Sequence, residues 1–331
     1  MKISVCIPAY NAAKFIAAAI GSVFRQTLPP DEILVLVADS KDDTVSILDS
    51  YRPRVTVFRQ SNSGIAAARN ELCQRASGEL IAFLDADDLW HPKYLEMQHD
   101  AFLKNPEAVA SFTGHVNFCG VENYSWADEI VANHLKMELI APLDFFRRFN
   151  TAAGPFTSMS YCCVPKVALE RLGNEPFNPA VRGCEDSYLF CLLSLHGSVV
   201  YTPMPLAAYR VWGGSLSQNR MKLCADLVTG FEMLESTFAK ANQPAMLKAF
   251  QWAFAVKRRG LAKVLLGAGK ISEARGHLWR SLSNCRQPVS MAKSFGLLGL
   301  SFLPSKLQPA WPSGQRQLIG KFNGIADVQR D

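Results

Sequence analysis

The sequence predicts an α/β fold, with an open, mostly parallel sheet, helices on both of its faces and a helical C-terminal extension. In the first hundred residues, four short apolar runs rich in β-branched residues alternate with segments of helical length. Strands that are almost continuously hydrophobic are typical of parallel sheets buried on both faces. After about residue 220, apolar residues recur at spacings of three and four, which indicates helices only.

The individual elements follow from these patterns. Strands are predicted at residues 3–7, 33–37, 55–58 and 80–84, and helices are expected to start near Ala12, Asp43, Gly64 and Pro92. Beyond residue 107 the alternation is looser, with strand-like runs at 108–112, 158–164 and 199–210 and a helix-like run at 143–149. We therefore predict three parts, residues 1–106, 107–219 and 220–331. Within the last part, segments 245–266 and 271–282 have the pattern of a two-helix hairpin.

Charge is distributed unevenly along the chain. The 331 residues carry a net charge of +6, and 49% are hydrophobic, which suits one large domain plus an appendage. Residues 240–331 contain 15 Lys and Arg against three acids and carry +12, whereas the remainder carries −6. A basic module on an acidic body predicts an anionic partner such as a membrane face, a lipid phosphate or nucleic acid. The alternative is an ordinary solvated helical surface.

Several classes of protein are disfavoured. Nine cysteines without a Cys-x-x-Cys pair, and no export signal before the first strand, predict reduced thiols in a cytosolic protein. The longest apolar run, residues 295–303, is about half of the ~20 residues that a membrane span needs. The first strand-helix turn lacks Gly-x-Gly-x-x-Gly, which argues against a dinucleotide-dependent oxidoreductase. The six histidines have no ligand spacing, which argues against a zinc enzyme.

An acidic cluster, residues 85–88, directly follows the hydrophobic run 80–84. Carboxylates gathered at the end of a buried strand repel one another and call for a positive partner. A hard divalent cation, held by Asp85 and Asp87 and completed by phosphate oxygens and water, meets that need. The alternative is an Asp-rich turn in which Asp88 caps the helix near Pro92.

Other polar residues follow the remaining strands, at the edge where such sheets bind ligands. Tyr10 can stack on a base, Asn11 can hydrogen-bond a ribose or ring edge, and Asp39 can accept from a ring N–H or sugar hydroxyl. Asn62 follows the third strand, and Arg69 places a planar donor fork on a helix of small residues close to the expected nucleotide. For Tyr10, Asn11 and Asp39 the alternative is an ordinary turn that leads into a helix.

Two further carboxylates, Glu185 and Asp186, open an apolar helix at residues 187–195. Acidic residues in a first helical turn are favoured by the helix dipole, so capping is one interpretation. The other is catalytic. Glycosyl transfer by single displacement needs a base that takes the proton from the acceptor hydroxyl, and a carboxylate can serve as that base. The cation would then stabilise the departing diphosphate as a Lewis acid.

In this order, the motifs resemble those of glycosyltransferase family 2, an inverting family with the GT-A fold, over residues 1–215. Residues 4–11 are similar to its opening strand and nucleotide loop, 38–44 to its Asp-Asp-Gly-Ser loop and 62–70 to its Asn-x-Gly…Ala-Arg-Asn stretch. Residues 85–87 resemble its metal motif, 185–186 its Glu-Asp pair and 209–215 its closing segment. Two positions depart from the family, since Ala38 replaces an Asp and Trp212 stands where His is common.

The resemblance implies roles for these residues. Asp186, paired with Glu185, is the general base, and Asp85 and Asp87 hold Mn²⁺ or Mg²⁺. The expected nucleotide-sugar site comprises Pro8, Ala9, Tyr10, Asn11, Asp39, Asn62, Arg69, Asp85, Ala86 and Arg210, the last neutralising diphosphate charge. Residues 1–106 then form the nucleotide-sugar half of the GT-A domain, residues 107–219 its acceptor half, and residues 220–331 a basic helical extension.

The expected function is inverting transfer from a nucleotide sugar, a UDP-sugar by preference, to a hydroxyl of a carbohydrate or lipid-linked saccharide in cell-surface polysaccharide or glycolipid synthesis. We expect no nucleic-acid partner and a cytoplasmic location. For the basic helices three alternatives stay open, which are peripheral contact with the inner membrane face, packing as a cap against the catalytic domain, and contact between copies in a homo-oligomer. The alternative is a catalytically silent nucleotide-binding or scaffold protein with the same fold, which the departures at Ala38 and Trp212 leave open.

Overall fold

The computed structural model describes residues 1–120, 124, 126, 136–150, 156, 158–213, 219–303, 309 and 311. Its first hundred residues confirm the predicted alternation of strands and helices. The strands are β1 (Ile3–Ala9), β2 (Glu32–Ala38), β3 (Thr56–Gln60) and β4 (Leu80–Phe83), and the helices are α1 (Ile16–Phe24), α2 (Thr44–Asp49), α3 (Ile65–Arg75) and α4 (Tyr94–Lys104).

The elements that follow are more varied. The strands are β5 (Leu89–Trp90), β6 (Ala110–Cys119), β7 (Glu138–Ile140), β8 (Cys162–Pro165) and β9 (Val199–Val211), with a 3₁₀ turn at Met159–Tyr161. Helices α5 (Pro142–Phe149), α6 (Lys166–Glu170) and α7 (Glu185–Leu193) lie between them. The chain continues through α8 (Arg220–Lys240), α9 (Pro244–Gly267), α10 (Ile271–Asn284) and α11 (Pro288–Leu300), as the helical periodicity predicted.

The described strands form one sheet in the order β3-β2-β1-β4-β8-β6-β9-β5, and β7 pairs with β9. From β3 to β4 every pairing is parallel, as predicted. Beyond β4 the pairing is mixed, because β8 runs antiparallel to both β4 and β6 whereas β9 runs parallel to β6. The carboxyl ends of β1, β2, β3 and β4 therefore open on one edge of the sheet, where ligands of such sheets bind.

The hydrophobic core explains why β1 and β2 form. Every residue of β1 is buried, and six of the seven residues of β2 are buried, as a strand covered on both faces requires. Helix α1 buries Ile16, Ala19, Ile20 and Val23 at helical spacing. Burying one Ile or Val side chain stabilises the folded state by about 1.5–3 kcal/mol.

A short turn joins α9 and α10 at the position of the predicted helical hairpin. Gly269 has a φ of 74°, in the left-handed region that glycine adopts without strain. Its N–H donates to the Leu266 carbonyl, and the N–H of Lys270 donates to the Leu265 carbonyl, which together form a Schellman motif.

The chain divides into two compact units. One contains residues 1–211 with 229–253, and the other contains residues 212–228 with those from 254 onward. Helices α8 and α9 each contribute residues to both units, and the part boundaries proposed from composition stay predictions. No helix in the described ranges has the length and apolarity needed to cross a membrane.

Gly114 makes the pairing of β6 with β9 possible at an irregularity in their register, which shifts on both sides of this residue. A Cβ atom at Gly114 would lie 2.6 Å from the Pro203 carbonyl oxygen and 3.0 Å from that of Met204. We therefore expect Gly114→Ala to lower the free energy of unfolding by about 1–3 kcal/mol, measured by urea denaturation.

Gly230→Ala is the matched control for this substitution. Gly230 lies in α8 within the same compact unit, and its added Cβ would meet Val181 at 3.6 Å, an ordinary van der Waals distance. Alanine is also the better helix former, so the control is expected to be neutral or stabilising. Equal stability of the two variants would contradict the close approach of β9 to Gly114.

Candidate functional site

The loops after β1 and β2 are joined through Asn11. Its backbone adopts a φ of 47°, which asparagine tolerates better than most residues. Its side-chain oxygen accepts from the Lys41 N–H at 2.8 Å, and its own N–H donates to the Ser40 hydroxyl at 3.0 Å. Beside it, the Tyr10 ring is exposed at the open edge of the sheet. Pro8 and Ala9, the last residues of β1, are buried there in parallel pairing with β2.

Asp39 and Asn62 join the ends of β2 and β3 in the same way. Asp39 has a φ of 46°, and its carboxylate accepts from the Asn62 N–H at 3.4 Å. The Asn62 side chain in turn accepts from the Gly64 N–H at the start of α3. The structure thus brings four of the predicted nucleotide-site residues to one edge of the sheet: Tyr10, Asn11, Asp39 and Asn62.

The first residue of the acidic cluster, Asp85, is held by two serines that the sequence analysis missed. Its N–H donates to the Ser160 hydroxyl at 3.0 Å, and the Ser158 hydroxyl donates to its carboxylate at 3.5 Å. The Trp90 indole N–H donates to the Ser160 carbonyl at 2.6 Å, which anchors the turn carrying these serines. The serines lie more than 70 residues from Asp85 in sequence, so no local pattern could have identified them.

Arg69 links the two acidic clusters. The side chain is only 2% exposed, and its guanidinium donates to the Asp85 carboxylate at 2.6 Å and to the Glu185 carboxylate at 2.5 Å. The neighbouring residue, Asn70, exchanges two hydrogen bonds with the Phe177 backbone and fixes α3 against the segment before α7. The structure therefore assigns Arg69 a positioning contact with two carboxylates, and direct contact with a nucleotide stays a prediction.

Glu185 and Asp186 lie in the first turn of α7, where the helix dipole favours acidic residues, but the Glu185 carboxylate bonds to Arg69 and does not cap the helix. The N-cap is Cys184, whose side chain makes no capping hydrogen bond, and the buried Glu185 carboxylate is directed to Arg69. Asp186 accepts from the Ser187 N–H at 2.6 Å. Burial, reinforced by the negative charge of Glu185, raises the pKa of Asp186 to about 7, although the charge of Arg69 opposes the shift.

Asp88 does not cap the helix near Pro92. Helix α4 begins at Tyr94 with Lys93 as its N-cap, and the Asp88 carboxylate accepts from the Arg210 N–H at 2.8 Å. Burial, together with the charges of Asp87 and Asp85, raises the pKa of Asp88 well above its ordinary value. The local pattern is compatible with a cap because Asp often precedes helices. In the structure the Asp88 carboxylate instead accepts a hydrogen bond from the backbone of β9.

Arg210 supports the same turn from the end of β9. Its buried guanidinium donates to the Asp87 and Gly120 carbonyl oxygens and lies between the rings of Phe15 and Phe118, 4.7 and 4.3 Å from their centroids. Such cation–π contacts favour a desolvated guanidinium. The Asp87 backbone is therefore held by β9, and contact of Arg210 with a diphosphate stays a prediction.

The donor chemistry of Asp85 and Asp87 fits a divalent cation. Both carboxylates are partly exposed, whereas Ala86 and Asp88 are buried. Among the residues that the structure describes, no group of three or more His, Cys, Asp or Glu is arranged to hold a metal ion. The pair therefore suits a cation such as Mg²⁺ or Mn²⁺, which takes one or two protein carboxylates and completes its coordination with phosphate oxygens and water.

Comparison with known sequences identifies the family. A model of "Glycosyl transferase family 2" matches residues 4–167. The chain is 42% identical over 227 residues to the UDP-Glc:alpha-D-GlcNAc-diphosphoundecaprenol beta-1,3-glucosyltransferase WfgD of Escherichia coli, covering 66% of this chain and 81% of that protein. It is 38% identical over 117 residues to the putative teichuronic acid biosynthesis glycosyltransferase TuaG of Bacillus subtilis, covering 34% and 46%.

Solved structures show the same fold. The crystal structure of S. aureus TarS 1–349 superimposes with a TM-score of 0.65 at 16% identity, covering 91% of this chain and 90% of that one. The mannosyltransferase PcManGT from Pyrobaculum calidifontis, in complex with GDP-Man and Mn²⁺, superimposes with a TM-score of 0.56 at 19% identity, covering 89% and 79%. The chain shares the GT-A architecture, and its alignment with the 42% identical E. coli relative covers four fifths of that relative. The chain therefore belongs to glycosyl transferase family 2.

Proposed function

We propose that the protein transfers a sugar, with inversion, from a UDP-sugar to a hydroxyl of a saccharide carried on a lipid diphosphate, in the synthesis of a cell-surface polysaccharide. The E. coli relative is named for a UDP-Glc donor and a diphosphoundecaprenol-linked acceptor, and the B. subtilis relative for teichuronic acid biosynthesis. TarS has been solved with UDP-GlcNAc. The observation that carries the proposal is the shared contact of Arg69 with Asp85 and Glu185.

The donor would lie along the edge formed by the ends of β1 to β4. In this proposal the exposed Tyr10 ring stacks on the base, and Asp39 and Asn62 contact the base and ribose. Asp85 and Asp87 would hold the divalent cation, which would supply Lewis-acid stabilisation to the departing diphosphate. Mn²⁺ in the complex of the mannosyltransferase PcManGT supports this choice of cofactor.

The acceptor would react at Asp186, in the half formed by residues 107–219. Its carboxylate takes the proton of the acceptor hydroxyl while the hydroxyl oxygen forms a bond to the anomeric carbon. The bond between that carbon and the diphosphate oxygen breaks, and the nucleoside diphosphate leaves with the bonding electrons. Arg69 holds Glu185 next to Asp186, so the base is oriented by the same guanidinium that orients Asp85.

Substitution of the general base tests the reaction. With a lipid-diphosphate-linked saccharide, Mg²⁺ or Mn²⁺ and a panel of UDP-sugars, we expect the unaltered protein to release UDP and extend the acceptor. Asp186→Asn keeps the shape but removes the proton acceptor, so its transfer rate should fall by about 10²–10⁴-fold, measured by product mass spectrometry.

Donor binding provides the control for this substitution. Asp186→Asn is expected to retain UDP-sugar affinity in calorimetric titration, because Asp186 acts on the acceptor. Donor binding by the unaltered protein without turnover on any acceptor would instead support the catalytically silent alternative. Undiminished transfer by the variant would exclude Asp186 as the base.

The dependence of the rate on pH follows from the pKa of Asp186. A general base acts in its deprotonated form, so kcat/KM should rise with pH as this carboxyl, with its pKa raised to about 7, loses its proton. A bound cation adds positive charge nearby and lowers this pKa, so the midpoint of the rise should lie between ~4 and ~7. A profile that stays flat across that range would contradict the assignment.

Arg69 is a positioning residue with a distinct kinetic signature. Arg69→Met leaves two carboxylates without their partner and should lower the free energy of unfolding by about 3–5 kcal/mol. It should also move the rise in kcat/KM to higher pH, because the Arg69 charge lowers the pKa of Asp186. Arg69→Lys keeps the charge but lacks the planar guanidinium that donates to both Asp85 and Glu185. Its kcat should therefore fall, while the midpoint of the rise in kcat/KM with pH moves little.

Arg75 on the same helix is the matched control. Its exposed side chain pairs with Glu71 one helical turn away, a contact that contributes little to stability. Arg75→Met and Arg75→Lys should therefore leave both the unfolding free energy and the pH profile close to those of the unaltered protein. If Arg69→Met behaves like Arg75→Met, the proposed positioning role of Arg69 is wrong.

A further inference from the structure

Helix α11 places its serines inward. Ser290, Ser294 and Ser301, the last one residue beyond the helix, are buried and accept hydrogen bonds from two arginines of the same compact unit. Arg259 donates to the hydroxyls of Ser290 and Ser294, and Arg275 donates to the hydroxyl and the carbonyl of Ser301. An ordinary surface helix of a globular protein does the opposite, with apolar residues inward and polar residues towards water.

The outward face of α11 is apolar except for Lys293. Val289 is 69% exposed and Phe295 is 51% exposed, and Ala292, Gly296 and Gly299 share this exposed side. Phe302, just beyond the helix, is 62% exposed. Large apolar side chains that cluster on one exposed face, with small residues between them, indicate a binding surface for a protein, a membrane or a ligand.

Cations accompany the apolar face. Residues 254–303 contain nine Lys and Arg, of which Arg258 and Arg259 are buried, and one acid, Glu273, which is paired with Lys270. Trp279 on α10 is 57% exposed and stands beside the exposed Arg280 in sequence. Lys293 is exposed on α11, and the Arg275 guanidinium lies 3.6 Å from the centroid of the Phe302 ring. An occupant of this surface must therefore offer both apolar area and negative charge.

We propose that α10 and α11 form a docking surface for an anionic lipid bilayer, with Phe295 and Phe302 inserted among the acyl chains near the headgroups. Interfacial helices combine exposed aromatic side chains with Lys and Arg in this manner. Each cation near an anionic leaflet contributes about 1 kcal/mol, and Trp is favoured at the interface. The choice of a membrane as the occupant rests on the proposed function, because a lipid-linked acceptor lies in a membrane.

Vesicle flotation of the full-length protein tests the surface. At low salt we expect recovery with vesicles of phosphatidylcholine containing about one third phosphatidylglycerol, and little recovery with pure phosphatidylcholine. The double variant Phe295→Ser, Phe302→Ser should reduce the partition coefficient at least about tenfold. Lys293→Glu and Arg280→Glu should each reduce it about fivefold or more, and high salt should act in the same direction.

The other compact unit offers matched controls. Leu103 is 59% exposed on α4, so Leu103→Ser removes a similarly exposed apolar side chain. Arg171→Glu reverses an exposed charge of that unit. Both variants should float like the unaltered protein, and circular dichroism should show that all variants are folded, since every substituted side chain is exposed.

The outcomes separate this inference from the proposed function. Asp186→Asn should float normally, because binding to vesicles requires no turnover, so a failed transfer assay leaves the flotation result intact. Equal flotation of the Phe295, Phe302 double variant and the unaltered protein would overturn the docking surface even if transfer is confirmed. If the double variant instead dissociates an oligomer in analytical ultracentrifugation and vesicle binding is unchanged, the face is a contact between copies and the bilayer proposal is wrong.

Discussion

The arrangement of the two acidic clusters depends on one buried guanidinium. Arg69 on α3 holds Asp85, 16 residues away at the end of β4, and Glu185, 116 residues away at the start of α7. Burying a charge is costly unless it is paired and hydrogen-bonded, so these three charges stabilise the fold only when all three segments are in place. The donor side and the acceptor side of the proposed reaction are thus positioned by a single interaction, because Asp186 follows Glu185 directly.

The rest of the acidic turn is held by segments that are equally remote. Ser158 and Ser160 hold Asp85, Arg210 holds the Asp87 carbonyl, and the Asp88 carboxylate is engaged by the backbone of β9. Groups fixed before substrate arrives need little reorganisation during the reaction, which is the main way in which a protein stabilises developing charge. The two partly exposed carboxylates of the turn, Asp85 and Asp87, therefore lie on a backbone that remote segments hold in place.

The sequence predicted the first four strands, the helices between them and the position of Tyr10, Asn11, Asp39 and Asn62 at one edge of the sheet. Those predictions succeeded because hydrophobic periodicity is local, and because parallel strands must place their carboxyl ends together. For Asp88 the sequence leaves a helix cap open as the alternative, and that alternative is wrong, since a turn rich in Asp before a helix has the same local pattern whether or not it caps that helix. The residues next to Ser158 and Ser160 in the sequence do not indicate that these serines contact Asp85.

Short-range periodicity and motif spacing specify the α/β fold, the family and the order of the acidic motifs, so all three could be predicted from the sequence. The three-dimensional structure was needed to show that Arg69 and Arg210 contact protein groups, and that α11 turns its serines inward and its phenylalanine outward. These features depend on contacts between residues far apart in the chain and on which face of a helix meets its neighbours. The spacing of residues along one segment specifies neither the long-range contacts nor the helix face that meets its neighbours.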